Sequence, residues 1–124
     1  MTFESVRGRL LISQPGGATS PESRITVRLV DMSRPEAGGI TVNSQVILTG
    51  PHGRPFPIEF KIMFDSRIYS PEKKYALSAR IEEMAGNERL QYISAYHHPL
   101  PMNGRTLRRI NLLVRPSAGT FSLA

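Results

Sequence analysis

The sequence has no cysteine and no tryptophan, and only two of its 124 residues are aspartate, Asp31 and Asp65. The missing cysteine excludes a disulfide framework, a thiolate nucleophile and a cysteine-ligated zinc site. The two aspartates do not suggest the facing carboxylate pair, about 5–9 Å apart, that glycoside hydrolysis requires. We interpret both as capping groups of turns. No apolar run approaches the roughly 20 residues that a membrane-spanning helix needs.

Positive charge is plentiful and comes almost entirely from arginine. Thirteen Arg and three Lys oppose ten acidic residues, which gives a formal charge of +6 and a pI near 10.3. Arginine-rich surfaces suit carboxylate, phosphate or anionic-lipid partners. No stripe of arginines interleaved with aromatic residues is present, so we predict no nucleic-acid partner. The alternative interpretation is a solvated basic surface without a dedicated partner.

Histidine and nucleotide motifs give no indication of catalysis. His52, His97 and His98 could in principle bind one zinc ion. His97 and His98 are adjacent, however, and adjacent residues of a strand point to opposite faces, so they seldom bind the same ion. The sequence has no G-x-S-x-G elbow and no glycine loop of a nucleotide-binding type. We therefore predict no enzyme activity, no cofactor and no metal site. An enzyme remains the alternative if His97 or His98 were to lie beside Asp31 or Asp65 in a cleft.

Alternation of apolar and polar residues is the dominant pattern, and it is typical of β-strands with one buried face. A hydrophobic fraction of 40% fits one folded domain over residues 1–124, with a core over about 5–116 and a flexible tail over 117–124. The fold class predicted is all-β, a single-domain antiparallel β-sandwich of about seven strands. A flattened barrel would show the same alternation. The sequence also predicts three local features: a bulge at 43–45, a helical turn within 64–71 and a hairpin at 85–87. The strands are predicted near 6–12, 24–31, 40–48, 56–62, 75–81, 89–94 and 106–114.

Several strands also carry an apolar residue on the face that should be polar. One interpretation is that a loop or the curl of the sheet covers these positions. The other is a shallow apolar groove for a partner, rimmed by arginines such as Arg7, Arg9 and Arg108 that favour an acidic peptide. On the second interpretation the predicted partner-binding residues are Leu11, Val30, Ile47, Ile93, Leu113, Arg28 and Arg80.

Two groups of residues resemble the YbaY-like lipoprotein domain family. The first is Val6-x-Gly8 followed by Ile25-Thr-Val-Arg-Leu-Val-Asp31-Met-Ser33-Arg. The second is Pro57-Ile-Glu-Phe60, then Asp65-Ser-Arg-Ile68-x-x-Pro71 and Tyr75-Ala-Leu-Ser-Ala-Arg-Ile81. The resemblance covers roughly residues 6–114, and the order of its elements agrees with the predicted strands.

This resemblance implies a small β-sandwich lipoprotein of the Gram-negative envelope. Its YscW-type branch contains pilotins of type III secretion systems, which bind the C-terminal segment of the outer-membrane secretin and aid its localisation and assembly. On that basis we expect a non-enzymatic pilotin on the periplasmic side of the outer membrane. Its leader and lipidated cysteine are expected to lie outside the given sequence. A YbaY-like envelope lipoprotein of undefined binding role is the alternative.

Overall fold

The computed structural model describes residues 3–13, 17–33, 39–84, 90–94 and 98–116. These residues form β-strands and one short 3₁₀ turn, Ser66–Ile68. The predicted hairpin at 85–87, His97 and the tail at 117–124 lie outside the described residues. The strands are β1 (Phe3–Leu11), β2 (Ser23–Asp31), β3 (Ile40–Leu48), β4 (Ile58–Asp65), β5 (Tyr75–Glu83), β6 (Leu90–Ser94), β7 (His98–Leu100) and β8 (Leu107–Pro116).

Period-two patterning accounts for the strands that the sequence indicates most clearly. In β4 the side chains of Ile58, Phe60, Ile62 and Phe64 are buried, and the residues between them face solvent. The same alternation buries the odd-numbered residues of β2 and, in β5, those from Tyr75 to Ile81. One face of each strand therefore supplies the core. The all-β prediction is confirmed.

The strands follow one path in the order β3-β2-β5-β6-β8-β1-β4, with β7 pairing on β5. All pairings are antiparallel except β1 with β8, which run parallel. The path curls until its end strands, β3 and β4, meet. The predicted division into two stacked sheets is therefore not seen: the sheet is nearly closed into a barrel, the arrangement that the alternation had left open.

The seam between β3 and β4 is bridged by amide side chains. The Gln45 Oε1 accepts a hydrogen bond from the Lys61 backbone N–H at 2.6 Å, and the Asn43 Nδ2 donates to the Met63 carbonyl at 2.6 Å. Among the described residues no backbone ladder joins these two strands. Side-chain amides thus satisfy backbone groups that would otherwise form an open sheet edge.

Irregularities in two pairings change which residues face outwards. The pairing of β2 with β3 shifts between Leu29 and Val30, which leaves Val42 as the extra residue. The bulge therefore lies one residue before the predicted 43–45 stretch. The pairing of β1 with β8 shifts between Val6 and Gly8, so that Arg108 and Arg109 together oppose Arg7.

Gly8 allows the close approach of β1 and β8 at this bulge. A Cβ built on Gly8 would overlap the Ile110 carbonyl oxygen and lie 2.8 Å from the carbonyl carbon. Arg109 has φ of 60°, the left-handed region that residues with a side chain rarely occupy. Backbone contact and backbone strain therefore coincide at one point of the barrel wall.

The sequence predicts one short segment correctly and misses another. The helical turn after β4 is confirmed, because Asp65 caps Ser66–Ile68 by accepting from the Arg67 N–H at 2.9 Å. Strand β7 is not among the strands predicted from the sequence. Pro99 lies within β7, where it opposes Ala76 of β5. Proline is tolerated there because β7 is a three-residue strand off the main path.

Candidate partner-binding surface

Five of the seven predicted partner-binding residues lie on the outward face of neighbouring strands and are at least partly exposed, and we call this set the outer strip. Arg80 of β5 lies opposite Ile93 of β6, and Ile93 lies opposite Arg115 of β8. Leu113 is two residues from Arg115 on the same face and pairs with Leu11 of β1. The outer strip, in strand order, is Arg28, Arg80, Ile93, Leu113 and Leu11.

The apolar part of the outer strip is accessible to a partner. Leu113 is 54% exposed and Ile93 is 36% exposed, whereas Leu11 is half-buried. Side chains two residues apart on facing strands lie about 7–8 Å from each other, so Ile93 and Leu113 are diagonal neighbours. The three residues together form a small, continuous apolar surface on the barrel wall.

The two arginines of the outer strip differ in their partners. The Arg28 guanidinium donates to the Ser78 hydroxyl at 3.3 Å and to the Thr41 hydroxyl at 3.2 Å, both of them neutral groups. Arg80 lies 3.5 Å from the Glu82 carboxylate, which also accepts from Arg24 at 3.1 Å. Arg28 is therefore held in place by hydroxyl groups that do not neutralise its charge.

Val30 and Ile47 do not belong to this surface. Val30 is on the outward side of β2, but it is fully buried because the chain at Gly39 packs against its side chain. Ile47 lies opposite Ile25 and therefore points into the barrel, where it packs on the core. The covered-face interpretation thus holds for Val30, and the expected outward orientation of Ile47 is wrong.

The side chains of β3 that face the inside of the barrel are not the ones that the sequence pattern predicts, and the reason is physical. Its inward positions include the polar Asn43 and Gln45, which bridge the seam to β4. The outward positions include the apolar Val46 and Leu48, which are 54% and 70% exposed. Sequence alternation alone assigns apolar residues to the inside, so it cannot recognise a strand whose polar side chains are needed within the wall.

A second surface, which we call the basic groove, lies beside the outer strip on β8, β1 and β4. It has a volume of about 860 Å³ and is open to solvent. Its cationic side chains are those of Arg7, Arg9, Lys61, Arg108 and Arg109. Sequence reasoning named three of these arginines as a rim but missed Lys61 and Arg109. The Arg108-Arg109 pair is evident in the sequence, but the bulge that exposes both side chains is seen only in the structure.

The carboxylates that sequence analysis assigned to turns perform that role. Hydrogen bonds from the Ser33 hydroxyl and N–H, with the nearby Lys73 ammonium, hold the pKa of Asp31 below its ordinary value. Hydrogen bonds from the Arg67 guanidinium and N–H, together with its charge, lower the pKa of Asp65 to about 2. Both groups are therefore ionised at neutral pH and engaged in local contacts.

The described residues contain neither a candidate metal-binding cluster nor a helix that could span a membrane. Within the described ranges no three histidine, aspartate or glutamate side chains cluster in a way that could hold a metal ion. His52 is exposed in a loop, and His98 is half-buried in β7. The helical content of the described chain is too short and too polar to cross a bilayer.

Comparison with known proteins identifies the family. The model of the Type III secretion system lipoprotein chaperone (YscW) family matches residues 2–112. The chain belongs to this family, which confirms the predicted resemblance. Among solved structures it is similar to an alternative pilotin from the type II secretion system of Vibrio cholerae. That match has a TM-score of 0.73 and 24% identity, and it covers 94% of this chain and 100% of that one. No curated protein sequence matches the chain.

Proposed function

We propose that this protein is a non-enzymatic pilotin of a type III secretion system. It would bind the C-terminal segment of a secretin subunit and aid the localisation and assembly of the secretin in the outer membrane. The observation that carries this proposal is the match of residues 2–112 to the secretion-system lipoprotein chaperone family. The fold shared with a pilotin of another secretion system supports it.

In this proposal the outer strip is the surface that receives the secretin segment. Leu113, Ile93 and Leu11 would cover apolar side chains of the segment, which would otherwise be exposed before the secretin ring closes. Arg28 and Arg80 flank this apolar surface and would pair with acidic side chains or with a terminal carboxylate. Val30 and Ile47 are left out because neither presents a side chain to the outside.

The proposed location is the periplasmic side of the outer membrane, through a lipid on a cysteine that is not among these residues. Family membership supports a lipoprotein of the cell envelope. A lipid anchor would hold the barrel close to the membrane into which the secretin inserts. The captured segment would thereby be confined near its destination, since tethering raises the effective concentration of the two partners.

The test is binding of a synthetic peptide with the C-terminal sequence of the type III secretin encoded by the same genome, measured by calorimetry. We expect micromolar binding and no binding of a scrambled peptide. Leu113→Glu should weaken it about tenfold, because a charge replaces an apolar contact worth about 1.5 kcal/mol. Leu48→Glu is the matched control, since Leu48 is exposed on β3, away from the outer strip.

The outcomes separate the alternatives. If only the tail of a type II secretin binds, the pilotin function stands but the assignment to a type III system falls. If neither tail binds to the folded protein, the secretin proposal is refuted and the YbaY-like interpretation with another partner takes its place. Equal weakening by Leu113→Glu and Leu48→Glu would remove the outer strip from the proposal. Circular dichroism of each variant checks that the barrel is folded.

A further inference from the structure

The basic groove concentrates more charge than its own residues neutralise. Among its lining residues the one acidic side chain is Glu59, against five cations. Glu59 lies directly opposite Arg9 in the β1–β4 register. Of the ion pairs found among the described residues, none includes a cation of the groove. None of the cations Arg7, Lys61, Arg108 and Arg109 therefore forms an ion pair with a described carboxylate.

The register of the strands arranges these four cations as a row across the barrel wall. Arg7 lies directly opposite Lys61 on β4, and the bulge of β8 places Arg108 and Arg109 on the other side of Arg7. Neighbouring strands are about 4.8 Å apart, so the row spans roughly 10 Å. Like charges on directly opposite residues destabilise a sheet. This repulsion is retained in the free protein and would be relieved by a bound anion.

The left-handed backbone at Arg109 adds a second free-energy cost to the row of cations. A left-handed conformation costs an ordinary residue roughly 1–2 kcal/mol, and glycine would adopt it without that penalty. The strained residue here is instead an arginine that lines the groove. Strain of this kind is found preferentially at ligand-binding sites.

The shape and the neutral groups of the groove indicate the kind of anion. Gln45 and Asn111 line it beside the cations. The Gln45 Oε1 is occupied by the Lys61 N–H, so its amide N–H₂ remains as a donor. A concave groove admits a narrow chain more readily than a planar bilayer. In an extended peptide, alternate side chains are about 6.6 Å apart, so two carboxylates fit within the row.

We infer that the basic groove binds an acidic segment of a protein partner, in which carboxylates at alternate positions pair with the row of Arg7, Lys61, Arg108 and Arg109. This inference goes beyond the secretin proposal and does not depend on it. The groove and the outer strip are separate sets of side chains, although they adjoin where Arg9 and Asn111 give way to Leu11 and Leu113 along β1 and β8.

The experiment uses a fluorescent peptide with glutamate at alternate positions and glycine between, and a control peptide with glutamine in place of glutamate. Fluorescence anisotropy is measured with the whole protein at low ionic strength. We expect the glutamate peptide to bind and the glutamine peptide to bind at least about tenfold more weakly. Added salt should weaken the binding, because exposed charges are screened over about 10 Å at 0.1 M.

Two double variants with the same loss of charge locate the site. Arg7→Gln with Lys61→Gln removes the centre of the row and its end on β4, and we expect binding about tenfold weaker. Arg54→Gln with Lys74→Gln removes two exposed cations outside the groove, and we expect a change of less than about threefold. The melting temperature of the groove variant should be unchanged or higher, because a repulsive pair has been removed.

Three results would overturn the inference. The first is equal weakening by the two double variants, which would indicate attraction by net charge alone. The second is equal binding of the glutamate and glutamine peptides. The third is absence of peptide binding together with groove-dependent binding to vesicles that contain phosphatidylserine, which would make the groove a lipid-headgroup site. The secretin-tail experiment depends on Leu113 and not on these cations, so each proposal can fail alone.

Discussion

Replacement of Gly8 by alanine is expected to open the parallel pairing between β1 and β8. The new Cβ would overlap the carbonyl oxygen of Ile110 and would lie 2.8 Å from its carbonyl carbon and 2.9 Å from its Cβ. Two of these atoms belong to the backbone, so no rotamer change can relieve the contact and the two strands must separate. Overpacking of a tight site costs about 1–3 kcal/mol, and we expect about 3 kcal/mol here because a strand must move.

Gly50→Ala is the matched control. Gly50 has φ of 77°, but no atom of the described residues lies within 4 Å of a Cβ built on it. The free energy of unfolding of Gly50→Ala should therefore fall only by the cost of the left-handed backbone, about 1 kcal/mol. Urea unfolding followed by far-ultraviolet circular dichroism gives both free energies of unfolding. A Gly8→Ala variant as stable as Gly50→Ala would refute the argument that close backbone approach requires glycine at position 8.

Three further predictions concern the bulge, the acidic cap and the seam. Arg109→Gly should raise the free energy of unfolding by about 1 kcal/mol, whereas Arg109→Ala should not raise it, because only glycine adopts the left-handed backbone without strain. Chemical denaturation of the two variants measures this difference. Asp65 has a pKa lowered by Arg67, so its stabilising contribution is complete above 3.8 and is lost as the pH falls towards about 2. Thermal melts across that range should show a smaller acid-induced decrease for Asp65→Asn than for the wild type, and parallel curves would contradict the assignment. Gln45→Ala should cost about 1 kcal/mol and speed hydrogen exchange of the Lys61 amide, measured by NMR, since that N–H loses its acceptor.

Local patterning predicts most of the barrel wall, because a strand with one buried face carries its own evidence. The alternation in β2, β4 and β5 indicates both the strands and their inward residues, and Asp65 marks the turn after β4 by its short side chain. The difference between a sandwich and a nearly closed barrel is not local. It depends on how curvature adds up over the whole path until β3 meets β4.

The candidate surfaces show the same limit. Ile93 and Leu113 were identified because an apolar residue broke the local alternation, and both are exposed. Val30 breaks the same rule but is covered at Gly39, in the connection that leads into the neighbouring strand β3. The position of Arg109 in the basic groove depends on a register shift between the first and last strands. Such a shift has no signature within either strand alone.

The pairing of β1 with β8 also has a consequence for how the chain acquires its structure. The hydrogen bond from the Ser5 N–H to the Thr106 hydroxyl joins residues 101 positions apart. β8, which pairs with β1, is the last of the described strands in chain order, so one edge of β1 stays unpaired until β8 has been synthesised. Proteins dominated by such distant pairings fold in roughly milliseconds to seconds. The first and last of the described strands must therefore pair with each other before the wall of the barrel is complete.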